Sequence, residues 1–228
     1  MNIIDDIPIE LETDSVIKSL KISKTSPYMQ KRIGELVDII NNVAKPKALY
    51  TESSIDYCTE DQVSIDGYVF NSRVLGKTLK DLDTCYPYLV TAGVELENVE
   101  LPETQSRMML DLIKNIVVGN AYDYAKELIA ERHNVPYITE MSPGHLDDWQ
   151  LTEQKTLFNL LGEAGKIGVR LTDSCMMLPI KTVSGILFSS ESGFKSCQVC
   201  TQARCMGRKA AYDPRIAIQY GIEPLCSA

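Results

Sequence analysis

The chain has 228 residues, 44% apolar and 24% charged, which is enough to bury a core and excludes disorder as the main state. Its 23 Lys+Arg stand against 31 Asp+Glu, and the net charge of -8 argues against non-specific binding to nucleic acid. No apolar run approaches the roughly 20 residues of a bilayer span, and Met1–Asp6 lacks the regions of a signal peptide, so a cytoplasmic protein without a membrane segment is expected.

In chain order, an extended lead-in precedes a weak helix over Ser15–Leu20. A stronger helix is predicted over Pro27–Val43, with Ser26 as N-cap, Pro27 in the first turn, and Ile33, Leu36, Val37, Ile40 and Val43 on one face. Lys45-Pro46 ends it. Strand signals follow at Ala48–Tyr50 and on both sides of Asp66-Gly67, a two-residue hairpin turn between Val63–Ile65 and Tyr68–Phe70. Leu75–Leu82 reads as a short helix and Tyr88–Gly93 as a buried strand.

The longest helical pattern runs from Glu103 to His133. Met109, Leu112, Ile113, Ile116, Val117, Tyr124 and Leu128 form its apolar stripe, while Asn120, Asp123 and Glu127 share a polar face. Met141–Gly144 is a turn, Thr152–Leu161 a helix, and Val169–Leu171 and Ile186–Phe188 are strands joined by an irregular segment. A last helix is expected over Val199–Ala210. Helices and strands do not alternate regularly, which favours an α+β class: a twisted, mainly antiparallel sheet flanked by helices. One domain over residues 1–190 and a cysteine-rich tail over 191–228 are expected.

That tail carries Cys197, Cys200 and Cys205 as a C-x2-C-x4-C run. Two thiolates spaced C-x2-C can grip one tetrahedral ion, and iron-sulfur clusters use similar runs. Zinc and a four-iron cluster are not separated by spacing, and Cys226, Cys175, an external ligand or solvent would supply the fourth ligand. The competing reading is a set of free thiols packed as small apolar groups. From Lys195 to Arg215 there are five basic residues against one acidic, a local reversal of the overall charge.

Arg170–Gly185 closely resembles a signature of the activation domain of cobalamin-dependent methionine synthase, of the type L-T-E-S-x-x-M-x-P-x-x-x-V-S-G. Leu171, Thr172, Ser174, Met177, Pro179, Val183, Ser184 and Gly185 match, and Asp173 replaces Glu. Upstream, Ser142-Pro143-Gly144 resembles the family's P-G-Y loop, and the helix with Asp123 and Glu127 resembles its D-x-x-x-E helix. The resemblance is clear over residues 104–188, and the cysteine-rich tail is more like that of short stand-alone relatives found in anaerobes.

The resemblance implies S-adenosylmethionine as methyl donor and a corrinoid protein or cobalamin-dependent methyltransferase as partner, the cobalamin lying on the partner or bound directly. A flavodoxin- or ferredoxin-type protein would donate the electron. Reductive remethylation of the cobalt would then need positioning from this chain and no nucleophile of its own, so no catalytic residue is assigned. The implied ligand site gathers Asp123, Glu127, Glu140, Ser142, Pro143, Gly144, His145, Lys181, Val183, Ser184, Gly185 and Leu187.

Three positions depart from the family pattern. Glu140 stands where an Arg would hold the ligand carboxylate, His145 where a Tyr follows Pro-Gly, and Leu187 where a second Tyr follows V-S-G. A carboxylate at 140 would repel the ligand's own. These departures leave a rival reading open: a metal- or iron-sulfur-binding accessory of a corrinoid protein, using Cys197, Cys200, Cys205 and Cys226, that has lost S-adenosylmethionine binding.

Overall fold

The computed structural model describes residues 1–22, 25–191, 193–202, 204–205 and 207–223. Strand β1 (Asn2–Ile4) leads to helices α1 (Thr13–Ser19) and α2 (Pro27–Val43). The hydroxyl of Ser26 accepts from the Met29 N–H at 3.2 Å, capping α2 as its sequence predicts. Ile33, Leu36, Val37 and Ile40 form the buried face of that helix.

Five strands and a helix follow: β2 (Lys47–Tyr50), β3 (Ser53–Cys58), β4 (Gln62–Ile65), β5 (Tyr68–Asn71), α3 (Arg73–Leu79) and β6 (Thr84–Thr91). The turn between β4 and β5 places Asp66 at φ 47° and Gly67 at φ 80°, the positive angles a two-residue hairpin requires. Next come the 29-residue helix α4 (Thr104–Arg132), β7 (Ile138–Met141) and α5 (Gln154–Leu161). The chain ends with β8 (Arg170–Leu171), β9 (Met177–Leu178), β10 (Thr182–Ser189) and α6 (Pro214–Gln219).

Strand β6 is the axis of the sheet. It pairs with β2 and β3 along one side and with β10 along the other, all antiparallel. Beyond these lie β1 against β2, β4 and β5 outside β3, and β7 outside β10. The α+β class and the antiparallel sheet flanked by helices are therefore as expected.

Alternation along β6 sends its side chains to opposite faces. Cys85 and Leu89 join Leu49, Ile186, Phe188, Trp149 and residues of α3 and α5 in one core. Tyr86, Tyr88 and Val90 join Ala48, Tyr50, Leu187 and the second half of α4 in another. A third core forms where α1 and α2 meet the first half of α4. Helix α4 thus closes two cores, and its Ala121 and Ala125 let it lie close to the sheet.

Several sequence expectations need correction. The helix expected over Val199–Ala210 does not form among the described residues, which make a short 3-10 turn at Ser196–Gln198 and then irregular chain. Carbonyls of Cys197, Cys200 and Gln202 accept from the Arg208 guanidinium, so they are withdrawn from any helical ladder. The irregular segment before Ile186 is in part strand, since β10 begins at Thr182. Strand β3 and helix α6 carry no strong periodic signal and are additions to the expected set. In the tail, Phe194, Val199 and Ala217 pack into the first core.

Gly185 on β10 is directly opposite Tyr88 on β6. A Cβ at this position would lie 2.4 Å from the Met141 carbonyl oxygen, 2.7 Å from Ser142 Oγ and 3.1 Å from Tyr88 Oη. Gly185→Ala must therefore push β10 away from β7. Overpacking of this kind costs about 1–3 kcal/mol, and the expected result is a lowered urea midpoint at unchanged slope.

Candidate functional site

One cleft, of about 590 Å³, opens between α4, strand β10 and the loop that follows β7. Its helical wall is Asn115, Val118, Gly119 and Tyr122, residues one turn apart on a single face of α4. The facing wall is Thr182, Val183 and Ser184 of β10, with Tyr88 beneath. Glu140, Ser142, Pro143, Gly144 and His145 form the loop side; Leu151, Gln154 and Met177 close one end, and Lys209 comes in from the tail.

The loop is held on several sides. Gly144 N–H donates to the Trp149 carbonyl at 2.7 Å, and Trp149 N–H donates to the Leu146 carbonyl at 3.1 Å. The Asp148 carboxylate accepts from Ser72 Oγ at 2.6 Å and from the Val74 N–H at 2.9 Å, tying the loop to the start of α3. Trp149 is fully buried and meets Phe70 edge-to-face at 6.1 Å. Gly144 takes φ +84°, open to glycine and strained for other residues.

The floor is polar but satisfied. Gln154 Nε2 donates to Ser184 Oγ at 2.8 Å, and both residues are buried. Thr182 Oγ1 donates to the Pro179 carbonyl at 2.7 Å. Burial raises the Tyr88 phenol pKa, the nearby Glu140 charge adds to the rise, and a hydrogen bond with Ser142 opposes it. Tyr88 is therefore a neutral hydroxyl at physiological pH.

At the Tyr122 end the cleft is charged. Lys209 Nζ lies 2.6 Å from Glu140 Oε1, and Lys126 Nζ lies 3.7 Å from Glu140 Oε2. Both ammonium groups stand over the Tyr122 ring, at 5.4 and 5.9 Å from its centroid. Desolvation lowers the Lys126 pKa, and repulsion from Lys209 lowers it further. Two buried polar atoms here, Glu140 Oε2 and Tyr122 Oη, have no hydrogen-bond partner among the described residues. Buried polar groups are nearly always paired; among the described residues Ser53 Oγ and Trp149 Nε1 are also buried without a partner.

Of the residues expected from sequence, the cleft brings together Glu140, Ser142, Pro143, Gly144, His145, Val183 and Ser184. Asp123 and Glu127 are exposed on α4 and are not among the residues that line the cleft, although the Asp123 charge acts on Lys126 at its charged end. Lys181 is a brace: its Nζ bonds Asp111 at 3.0 Å, fastening the start of β10 to α4. Gly185 packs under Tyr88, and Leu187 is buried in the second core. The cleft also takes in Tyr88, Tyr122, Gly119, Gln154 and Lys209, to which no sequence motif points. A glycine inside the long helical pattern was the one available signal for that wall.

The cysteines take separate roles. Among the described residues no three His, Cys, Asp or Glu side chains converge as a metal site. Cys197 Sγ accepts from the Lys209 N–H at 3.4 Å, Cys200 Sγ donates to the His145 carbonyl at 3.5 Å, and Cys205 is exposed. Cys175 is buried elsewhere, beside the β8–β9 hairpin, and the expected ligand Cys226 lies outside the described residues. The basic residues of this segment largely serve internal contacts: Arg208 holds the cysteine loop, Lys209 pairs with Glu140, and Arg215 pairs with Asp213 at 3.1 Å.

Residues 102–202 match the family model of the vitamin B12-dependent methionine synthase activation domain. Among solved structures, the chain is similar to a crystal structure described as the MetH reactivation domain bound to AdoHcy, with a TM-score of 0.61 and 13% sequence identity. That similarity covers 98% of this chain and 87% of the other, and at such identity it is a likeness of fold. No curated protein matches the chain. Among the described residues, no helix is long and apolar enough to cross a membrane.

Two measurements check the site. A Cβ at Gly119 meets nothing within 4 Å, so Gly119→Ala should stabilise α4 by about 0.5–1 kcal/mol. It would at the same time add a methyl group to the cleft wall, and a raised melting temperature with weaker ligand binding is the expected pair of results. Desolvation lowers the His145 pKa and Lys209 lowers it further, against an opposing pull from Glu140. The unfolded imidazole protonates near pH 6.5, at about its reference value, and the folded one only at lower pH. Between the two, the unfolded state binds more protons, so stability falls as pH drops through that window. Imidazole NMR titration should give His145 a midpoint below 6.5; one above it would contradict this assignment.

Proposed function

We propose that this chain, whose residues 102–202 match the family model of the vitamin B12-dependent methionine synthase activation domain, is a member of that family, binds S-adenosylmethionine in the α4–β10 cleft and reactivates a cobalamin-dependent methyltransferase. The observation that carries the reading is the cleft itself. It is assembled mainly from the family-matched segment, and two buried polar atoms on its wall are without partners.

The residues present fit such a ligand in size and in chemistry. A volume of about 590 Å³ falls within the usual range for small-molecule clefts. Val118, Val183 and Leu151 provide apolar walls that exclude water from a bound nucleoside. Tyr88, kept neutral by burial, fixes Ser142 and so the position of the loop. The pinned 142–149 loop holds its shape before a ligand arrives, which reduces the ordering cost of binding.

When bound, S-adenosylmethionine supplies an electrophilic methyl group for the partner's reduced cobalt. This chain's part is to orient the donor and keep its surroundings dry. No side chain in the cleft is required as nucleophile, and none of the described cysteines lines it. The corrinoid is assigned to the partner, and the electron to a flavodoxin- or ferredoxin-type donor.

Titration calorimetry of the full chain with S-adenosylhomocysteine, the stable product analogue, tests the reading. Saturable one-to-one binding is expected, and Val183→Asp should abolish it by placing a charge in the apolar wall. Absence of heat at millimolar ligand would overturn the assignment. In an anaerobic assay, the chain together with S-adenosylmethionine and a reductant should restore activity to an oxidised cobalamin methyltransferase.

A further inference from the structure

The α-amino-acid end of the ligand has no recognised holder in this chain, because Glu140 stands where a guanidinium would be needed. The charged end of the cleft resolves the difficulty. Three segments converge there: α4 with Lys126, the end of β7 with Glu140, and the cysteine-rich tail with Lys209. Their charges alternate as ammonium, carboxylate, ammonium, leaving a net positive charge against one wall of the cleft.

Glu140 is engaged unevenly. Its Oε1 takes Lys209 Nζ at 2.6 Å, whereas Oε2 is buried without a hydrogen bond, with Lys126 at 3.7 Å. Tyr122, over whose ring both lysines stand, has a buried and unpartnered Oη. A zwitterionic amino-acid head matches this array: its ammonium would donate to Glu140 Oε2, and its carboxylate would lie against Lys209 Nζ. A carboxylate alone would leave the orphan acceptor unmet, and an ammonium alone would leave the second cation unpaired.

Lys209 is brought there by the cysteine loop. Arg208 donates to the carbonyls of Cys197 at 2.8 Å, Cys200 at 3.3 Å and Gln202, gathering the C-x2-C turn around one guanidinium. The Lys209 N–H is placed against Cys197 Sγ at 3.4 Å, and Cys200 Sγ bonds the His145 carbonyl on the cleft loop. Thr201 Oγ1 bonds Asp147 Oδ2 at 3.2 Å, a second tie between the tail and that loop. Lys209 lies beyond the family-matched segment.

We propose that Lys209 and Glu140 together read the zwitterionic amino-acid head of the ligand, Lys209 taking its carboxylate and Glu140 its ammonium, with Arg208 as the positioning residue. This rests on the S-adenosylmethionine reading of the cleft and assigns the residues that select for an amino-acid-bearing nucleoside.

The test compares two ligands on the full chain: S-adenosylhomocysteine, which has the amino-acid head, and methylthioadenosine, which lacks it. Lys209→Met retains the aliphatic stem over Tyr122 and should weaken S-adenosylhomocysteine at least tenfold while leaving methylthioadenosine within twofold. Glu140→Gln should show the same selective loss, and Arg208→Ala should reproduce it in weaker form. If Lys209→Met fails to fold, Glu140→Gln carries the comparison alone. Equal losses for both ligands, or no loss for either, would overturn the head-group assignment while leaving the cleft reading intact. Binding of neither ligand to the unmodified chain would overturn the cleft reading and this assignment with it.

Discussion

The passage of the Tyr88 ring across Gly185 is the constraint on which the cleft depends. A phenol this deeply buried needs a hydrogen-bond partner, and leaving one unpaired costs about 1–3 kcal/mol. Tyr88 reaches Ser142 because position 185 has no side chain in the way. The β6–β10 register places the glycine under the ring, and the β10–β7 register then sets where the chain leaves the sheet at Met141. From that exit the loop is bound to follow the cleft wall, held by Asp148 at one end and by the buried Trp149. A sheet contact buried in the middle of the fold thus decides the position of residues 142–145 at its surface.

Helix α4 supplies the other wall, and its composition reflects two duties. Leu110, Ile113 and Val117 pack into the core shared with α1 and α2, while Ala121, Ala125 and Ile129 lie on the sheet. Between these regions, Gly119 and Val118 face open space in the cleft. Large side chains would fill the volume that the neighbouring strand and loop leave. The helix therefore accepts a glycine at mid-length, at a propensity cost of roughly 1 kcal/mol relative to alanine, and recovers stability from burial on either side.

Much of this was legible from residue order and some was not. Helix α2 was read to its caps because Ser26, Pro27 and a clean apolar period are local signals. The turn at Asp66-Gly67 was equally local. The loop and strand facing the cleft were legible through the ordered positions around Ser142–Gly144 and Val183–Gly185. What escaped were features that depend on distant packing. Asp123 and Glu127 share an exposed helical face, and spacing along one helix does not say how that face stands to the sheet. Cys197–Cys205 has ligand-like spacing, yet Arg208 collects the loop's carbonyls and its sulfurs take separate partners. Lys209 looked like one charge among five, and its place beside Glu140 follows from how the tail folds back.

The Glu140 departure changes meaning in that setting. Considered alone, a carboxylate at this position opposes an anionic ligand. In the fold it is flanked by Lys126 and Lys209, so the group as a whole remains cationic. Leu187, another departure from the family pattern, is the direct cross-strand neighbour of Glu140. Its buried side chain is apolar, and the Glu140 carboxylate is paired with Lys126 and Lys209 instead. The tail that carries Lys209 also bonds the loop carbonyl of His145. Positions 140 and 187 are thus coupled across the β7–β10 pair, and the cysteine loop that bonds the His145 carbonyl also carries Lys209 to the Glu140 carboxylate.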